Sequence, residues 1–271
     1  MTRRRLRWLV TGASGYIGGR LVPELLDAGF DVRVMARQPA SLRDRPWAGA
    51  VEMVRADASE RASLDEALAG VDVAYYLIHA LGTSGFERTD RDNAQRFGDA
   101  ARAAGVRRIV YLGGLAPADE ELSAHLRSRL EVGEALLASG VPTAVLRAAV
   151  IIGSGSASFE MLRYLTERLP AMVTPRWVDT RIQPIAIRDV LRYLVGCASL
   201  PSEVSRSFDI GGPDVLTYRE MMQRYARVAG LARRLIVPVP VLTPWLSSHW
   251  VGLVTPVPNS IARPLVDSLR N

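Results

Sequence analysis

Lysine is missing from this chain. All 34 basic residues are arginine, and that absence removes several chemistries at once. No lysine Schiff base can form with a carbonyl or with pyridoxal phosphate, and no P-loop lysine can hold a nucleoside triphosphate. Cysteine and histidine are nearly as scarce. The single Cys197 cannot form an internal disulfide, and His79, His125 and His249 are scattered without metal-ligand spacing. A zinc centre is therefore not expected.

The charges that are present exclude a further class. The formal net charge is +6, but the arginines are interspersed with 28 acidic residues and form only short clusters, such as those at 3–5 and 233–234. A nucleic-acid-binding face is not expected from that distribution. The opening MTRRRLRWLVTG passes from arginines straight into a strand-like run and a glycine turn, without the basic, apolar and cleavage regions of a secretory signal. A cytoplasmic protein is expected. With 271 residues, 48% of them hydrophobic, the chain can bury a full core.

Up to about residue 152, short apolar runs alternate with amphipathic segments, the rhythm of βαβ units and a parallel sheet. The runs are 5–11, 31–37, 51–55, 71–78, 107–113 and 143–153. Six such strands predict an α/β fold, a Rossmann-type doubly wound parallel sheet with a small C-terminal lobe. Glycines in DAG, AAGV and ASGV stand where three helices end. Pro23 falls inside the first helix, where it should kink the helix or cost a hydrogen bond. Beyond residue 153 the pattern loosens into a helix near 158–169 and strand-then-helix stretches over 181–198 and 206–230. The expected division is a dinucleotide-binding domain over 1–153, completed by parts of 180–215, and a smaller substrate lobe over 154–271.

The segment 235–262 contains no charged residue, yet has prolines at 238, 240, 244, 256 and 258. That spacing excludes a straight membrane-spanning helix. Three readings stay open: a segment packed on the second lobe, a lid over an apolar substrate, or a membrane contact through Trp245 and Trp250.

The sharpest local signal is TGASGYIGG, residues 11–19. It places Gly12, Gly15 and Gly18 between the first strand and a helix that carries Ile17, Leu21 and Leu25 on one stripe. Gly12 allows a tight turn, Gly15 lets the backbone approach a pyrophosphate, and Gly18 lets the helix lie close on the sheet. The amides around Ser14, Tyr16 and Ile17 and the positive end of the helix dipole would then meet the diphosphate. An acid closing the second strand would bind ribose hydroxyls, but Arg37 stands there instead, which favours the 2′-phosphate of NADP(H) over NAD(H). Arg37 could equally be an exposed arginine. Asp57, followed by Ala58 after the third strand, could accept from an adenine amine or serve as a routine helix cap.

With these residues in view, the chain resembles the short-chain dehydrogenase/reductase superfamily, in its extended and atypical, NmrA-like and epimerase-like branches. The resemblance runs through TGASGYIGG, RDNAQRFGDAARAAGVRRIVYLGG, VLRAAVIIGSG, IQPIAIRDVLRYL and FDIGGPDVLTYREM. It implies that Ile78, His79 and Ala80 line the nicotinamide side of the cofactor, that Asn93 matches a frequent asparagine, and that Ala149 and Val150 reach the nicotinamide. It also implies a catalytic tyrosine and lysine four apart with a serine at the end of the fifth strand. Here those positions hold His125 and Arg129, with Gly113 and Gly114 in place of the serine.

Two readings of that change stand side by side. His125 could serve as proton donor, a role that imidazoles fill near neutral pH, while Arg129 binds ribose hydroxyls. Alternatively both are polar residues facing cofactor or water, and the protein is a non-catalytic NADP(H)-binding redox sensor or complex subunit. The first reading implies an NADP(H)-dependent oxidoreductase acting on a small apolar carbonyl, enone or quinone-like substrate. A nucleotide-sugar epimerase or dehydratase is a third reading, which the uncharged tail disfavours.

Overall fold

The computed structural model describes residues 6–79, 86–116 and 122–239. In chain order the elements begin β1 (Arg7–Thr11), α1 (Tyr16–Asp27), β2 (Asp31–Ala36), β3 (Glu52–Arg55), α2 (Arg61–Leu68) and β4 (Val73–Tyr76). They continue with α3 (Phe86–Ala103), β5 (Arg108–Gly114), α4 (Ala124–Leu137), β6 (Thr143–Ala148) and β7 (Ile151–Ile152). The last are α5 (Ala157–Arg168), β8 (Ala171–Pro175), β9 (Arg181–Ile182), β10 (Ile185–Ala186), α6 (Ile187–Cys197), β11 (Arg206–Ile210), β12 (Leu216–Thr217), α7 (Tyr218–Val228) and β13 (Leu235–Val239).

The chain divides into two compact units. One comprises residues 1–114, 128–147 and 188–209, and the other 115–127, 148–187 and 210–271. The first is built on a seven-stranded sheet in the order β11-β6-β5-β4-β1-β2-β3. The pairs β1–β2, β2–β3, β1–β4 and β4–β5 are parallel. The sheet is a Rossmann-like α/β arrangement whose strand order reverses between β1 and β4, and such a reversal opens a crevice at the carboxyl ends of the strands. Its central strands carry continuous buried runs, as expected of a parallel sheet covered on both faces: Val73, Ala74, Tyr75 and Tyr76 of β4 are all buried, as are Trp8, Leu9 and Val10 of β1. Leu9, Tyr76, Phe97, Ile109, Tyr111 and Leu136 belong to one continuous cluster that joins the sheet to α3 and α4.

The apolar run 143–153 is not one strand. It breaks at Ala149–Val150, where the Val150 carbonyl accepts from the Ile185 amide at 2.9 Å, and β7 pairs in parallel with β10 within the second unit. The helix ends follow the glycines: Gly29, Gly105 and Gly140 all have positive φ, which a side chain would resist.

Pro23 lies inside α1 and the helix continues through it. Proline has no amide hydrogen, so the carbonyl four residues earlier, that of Gly19, loses its helical donor. The indole Nε1 of Trp47 donates to that carbonyl at 3.2 Å. The missing bond is thus replaced by one from outside the helix.

Arginine does structural work that lysine could not. Buried Arg33 donates to the carbonyls of Ala67 and Ala69, where α2 ends, and pairs with Glu52 at 3.0 Å. Arg108, 2% exposed, donates to Leu200, Pro201 and Val204 after α6. Arg234 donates to the Thr166 carbonyl in the last turn of α5. Arg33 and Arg234 thus satisfy carbonyls at helix ends, while Arg108 ties down the turn that follows α6.

The second unit holds three two-stranded pairings, β10 with β7, β12 with β9, and β13 with β8. Its core gathers Met161, Leu165, Trp177, Val178, Tyr218 and Met222 from α5, α7 and the segment between β8 and β9. A capping box between Thr217 and Glu220 starts α7. Of the uncharged segment 235–262, the structure describes only 235–239; Trp245 and Trp250 lie outside the described residues. Among the described residues, no helix is long and apolar enough to cross a membrane.

Candidate cofactor crevice

The glycine loop is shaped by backbone against backbone. Gly12 follows β1 with φ +65°, and a Cβ there would lie 2.5 Å from the Leu77 carbonyl, just past β4. Thr11 completes the joint: its hydroxyl donates to the Tyr75 carbonyl at 3.0 Å and accepts from the Leu77 amide at 2.9 Å. The loop and the end of β4 therefore form one surface of the crevice. The Gly15 amide turns back to the Gly12 carbonyl at 2.9 Å. A side chain at Gly18 would collide with the backbone of Gly12 and Ala13, so Gly18 sets how closely α1 approaches the turn.

Gly15 is different, because an added Cβ would meet only the Gly12 carbonyl, at 3.2 Å, and the residue is exposed. It is also the N-cap of α1, with no side chain capping the helix. An exposed, side-chain-free helix start is a cradle for an anion. Ser14 is exposed, and Tyr16 and Ile17 are half-buried in the same turn. The residues fit a bound dinucleotide diphosphate.

Arg20 donates to the Tyr16 carbonyl at 3.2 Å in the first turn of α1, and two further arginines follow β2. Arg37 is exposed immediately after β2. Arg45, which the sequence reading did not single out, donates to the Ser14 carbonyl at 3.1 Å. Arg45 and Trp47 together hold the stretch after β2 against the start of α1. Asp57 is engaged locally: its Oδ1 accepts from the Ser59 amide at 2.9 Å and the Ser59 hydroxyl at 2.8 Å. The Ser59 amide, the Ser59 hydroxyl and the Arg37 charge hold its carboxyl below the usual value, against the opposing effect of burial. Asp57 is thus a turn residue before α2, followed by buried Ala58. Asn93 on α3 accepts from Arg96 at 3.1 Å, and Arg96 also reaches the Ala58 carbonyl at 3.4 Å.

Past β4, Ile78 packs on the core and His79 turns into a buried polar cluster. His79 Nδ1 lies 3.0 Å from Oδ2 of Asp90, and the Ser128 hydroxyl donates to the same oxygen at 3.3 Å. Asp90 is 2% exposed. Burial lowers the His79 pKa and the positive charge of Arg129 adds to this, while the Asp90 carboxylate opposes both. Neither Asp90 nor Ser128 stands out in the sequence, since Asp90 sits in the charged run ERTDRDN. Ala80 lies outside the described residues.

His125 and Arg129 share α4, four residues apart, and both are half-buried. The division between the two units crosses α4 after Arg127, so His125 falls in one and Arg129 in the other. Arg129 donates to the Leu112 carbonyl at 3.3 Å, and the Tyr111 hydroxyl donates to the Arg129 carbonyl at 3.2 Å. A Cβ on Gly113 would press on the Tyr111 ring at 3.1 Å, so the end of β5 is packed tightly. Ala149 is half-buried and Val150 joins the core of the second unit. Among the described residues no group of three His, Cys, Asp or Glu could hold a metal ion.

Comparison with known proteins bears on this crevice. The profile of a family described as NAD(P)H-binding matches residues 12–151. The chain is 30% identical over 223 residues to the (4-alkanoyl-5-oxo-2,5-dihydrofuran-3-yl)methyl phosphate reductase of Streptomyces griseus, covering 82% of this chain and 73% of that protein. It is 31% identical over 241 residues to the ceramide reductase of Caulobacter vibrioides, covering 84% and 72%. The fold is similar to that of Citrobacter sp. triphenylmethane reductase crystallised with NADP(H), with a TM-score of 0.75, 23% identity, and coverage of 97% and 90%.

Proposed function

Because the chain belongs to the NAD(P)H-binding family, we propose that it is an NADP(H)-dependent reductase of a small apolar carbonyl, enone or quinone-like compound. The observation that carries the cofactor choice is the end of β2, where an arginine and no acid stands beside the glycine loop, with Arg45 reaching the Ser14 carbonyl. A guanidinium suits a 2′-phosphate in shape and charge, and an acid would repel it. The two curated relatives named above are reductases, one of an alkanoyl-bearing oxo compound and one of a ceramide, which supports a carbonyl substrate with an apolar part.

In this reading the backbone at Gly15 gives the diphosphate close approach to the start of α1, where the amides of Tyr16 and Ile17 bind it, and Arg37 and Arg45 hold the 2′-phosphate. Ile78, His79 and Gly113 serve the nicotinamide end. A reduced nicotinamide, when bound, supplies hydride. His125 donates the proton that the reduced oxygen takes up, and Arg129 keeps the end of β5 in place through the Leu112 carbonyl.

That same Leu112 contact favours a second reading, in which α4 is structural and the protein binds NADP(H) without turnover, as a redox sensor or complex subunit. Oxidation of NADPH and of NADH against a panel of quinones and enones separates the two. Turnover is expected with NADPH, at least tenfold slower with NADH, and the preference should collapse in Arg37→Ala. Tight NADPH binding without oxidation by any panel compound would leave the second reading standing. Undiminished turnover in His125→Ala would remove His125 from the mechanism.

A further inference from the structure

The stretch between β2 and β3 is bonded to the start of α1 at two points, through Arg45 and through Trp47. We propose that Trp47 is a positioning residue: it docks the turn that carries Arg45 on the carbonyl left open by Pro23, and so sets the preference of the crevice for a 2′-phosphate. The inference rests on the NADP(H) reading above and names a determinant of its cofactor specificity.

Arg45, Pro46, Trp47 and Ala48 form a tight turn, closed by the Ala48 amide donating to the Arg45 carbonyl at 2.9 Å. Trp47 has φ −92° and ψ 0°, the values of the third residue of a type I turn, and Pro46 stands second, where its ring already fixes φ. Arg45 and Trp47 are therefore carried by one stiff unit. Its buried member, Trp47, is 6% exposed and donates to the Gly19 carbonyl at 3.2 Å, while exposed Arg45 donates through Nη2 to the Ser14 carbonyl at 3.1 Å. On the other side of the turn the Arg45 amide donates to the carbonyl of fully buried Leu42 at 3.1 Å.

The dock exists because of a proline. A carbonyl inside a helix normally takes the amide four residues on, and Pro23 has none to give. What α1 loses as a helical bond, the turn gains as an anchor one helical turn away from the cradle.

The place where Arg45 is held suits the phosphate. In a doubly wound sheet the adenosine ribose lies between the glycine loop and the end of β2, and Arg45 bridges those two parts. The charge of Arg37 acts on the Asp57 carboxyl, whereas Arg45 is bonded to the glycine loop itself. Nη1 of Arg45 lies 3.9 Å from where a Cβ on Gly19 would stand, so the guanidinium runs along the amino end of α1. An arginine fixed there before the cofactor arrives loses less side-chain freedom when it meets a phosphate.

Calorimetric affinities of the full chain for NADPH and NADH, which differ only in the 2′-phosphate, read this directly. Trp47→Phe keeps a ring and removes the N–H; it should lower the NADPH to NADH affinity ratio by about threefold to tenfold, the cost of ordering one freed arginine side chain, with NADH unchanged. The affinity for 2′,5′-ADP, which keeps the 2′-phosphate and lacks the nicotinamide, should fall by the same factor. Adding Pro23→Ala to Trp47→Phe returns a helical donor to Gly19 and should recover most of the melting temperature without recovering the ratio, a split that a merely structural role would not give. Arg45→Ala should lower the ratio at least as far, and Trp47→Phe in that background should lower it no further. Recovery of the ratio along with stability in the Pro23/Trp47 double variant would overturn the inference. So would a further drop on top of Arg45→Ala, or a loss of NADPH affinity that 2′,5′-ADP does not share. If the wild type prefers NADPH and Trp47→Phe keeps that preference, this inference alone fails. A wild type that binds NADH as tightly as NADPH would sink the NADP(H) reading and the inference with it.

Discussion

Trp47 donates its indole N–H to the Gly19 carbonyl, the acceptor that Pro23 cannot serve. The two residues lie 28 apart in sequence and repair one defect together. Trp47→Phe should keep most of the packing and lose the bond, destabilising the fold by about 1–2 kcal/mol. Pro23→Ala restores a helical donor, so the double variant should lose much less than the single Trp47 change. Additive losses in a denaturant-unfolding cycle would show that the two are uncoupled.

The two glycines of the loop should separate stability from binding. Gly18→Ala drives a methyl into backbone that cannot retreat, and about 1–3 kcal/mol of stability should be lost. Gly15→Ala meets one carbonyl at 3.2 Å with an ordinary φ, so its cost to the fold should stay under about 1 kcal/mol. Its methyl would nonetheless stand in the cradle. Melting temperatures alongside 2′,5′-ADP affinity distinguish a folded, non-binding Gly15→Ala from a destabilised Gly18→Ala.

The pH dependence of stability carries a sign. The His79 pKa is lower in the folded protein than the 6.5 of a free imidazole, because burial disfavours the charged ring. The unfolded chain therefore binds more protons in that window, and stability falls as pH drops from 6.5 toward the folded value. Replacing His79 with Gln should flatten that part of the curve relative to wild type. His125 and His249 remain in both proteins, so the difference between the two unfolding profiles isolates His79. Parallel profiles would exclude a buried neutral imidazole.

Arg108→Lys should be costly although the charge is kept. The guanidinium reaches three carbonyls, those of Leu200, Pro201 and Val204, with a planar fork that an ammonium on a flexible stem does not reproduce. A loss of about 1–3 kcal/mol is expected from the unsatisfied acceptors. A shift in the denaturant midpoint measures it, and a neutral outcome would mean that the carbonyls find water.

Much of this architecture is written locally. The first five strands and the helix-ending glycines follow from apolar runs and turn chemistry, which act within a few residues. The run 143–153 reads as continuous because burial makes Ala149 and Val150 apolar too, and only the Ile185 amide, a tertiary partner, shows where the chain leaves the sheet. Arg45 was invisible for the same reason, since SLRDRPWAG reads as a polar loop until its contact with Ser14 is known. Asp90 is the sharpest case. Its neighbours Glu87, Arg88, Arg91 and Asp92 describe a solvated helix face, and nothing local marks it as the one acid turned inward to an imidazole eleven residues away. The spacing of Gly15 and Gly18, in contrast, is set by contacts with backbone of the loop itself, so sequence alone could carry it.

The buried arginines have a practical consequence for anyone who wishes to modify this protein. A chain without lysine offers amine-directed reagents no side-chain target, and one introduced lysine would be the single side-chain attachment point. Arg33, Arg108 and Arg234 are the wrong places for it, because each holds backbone carbonyls at or after the end of a helix. Val228, 87% exposed at the last position of α7, bears no such duty, and a single coupling handle there would tether the molecule to a surface through the second unit.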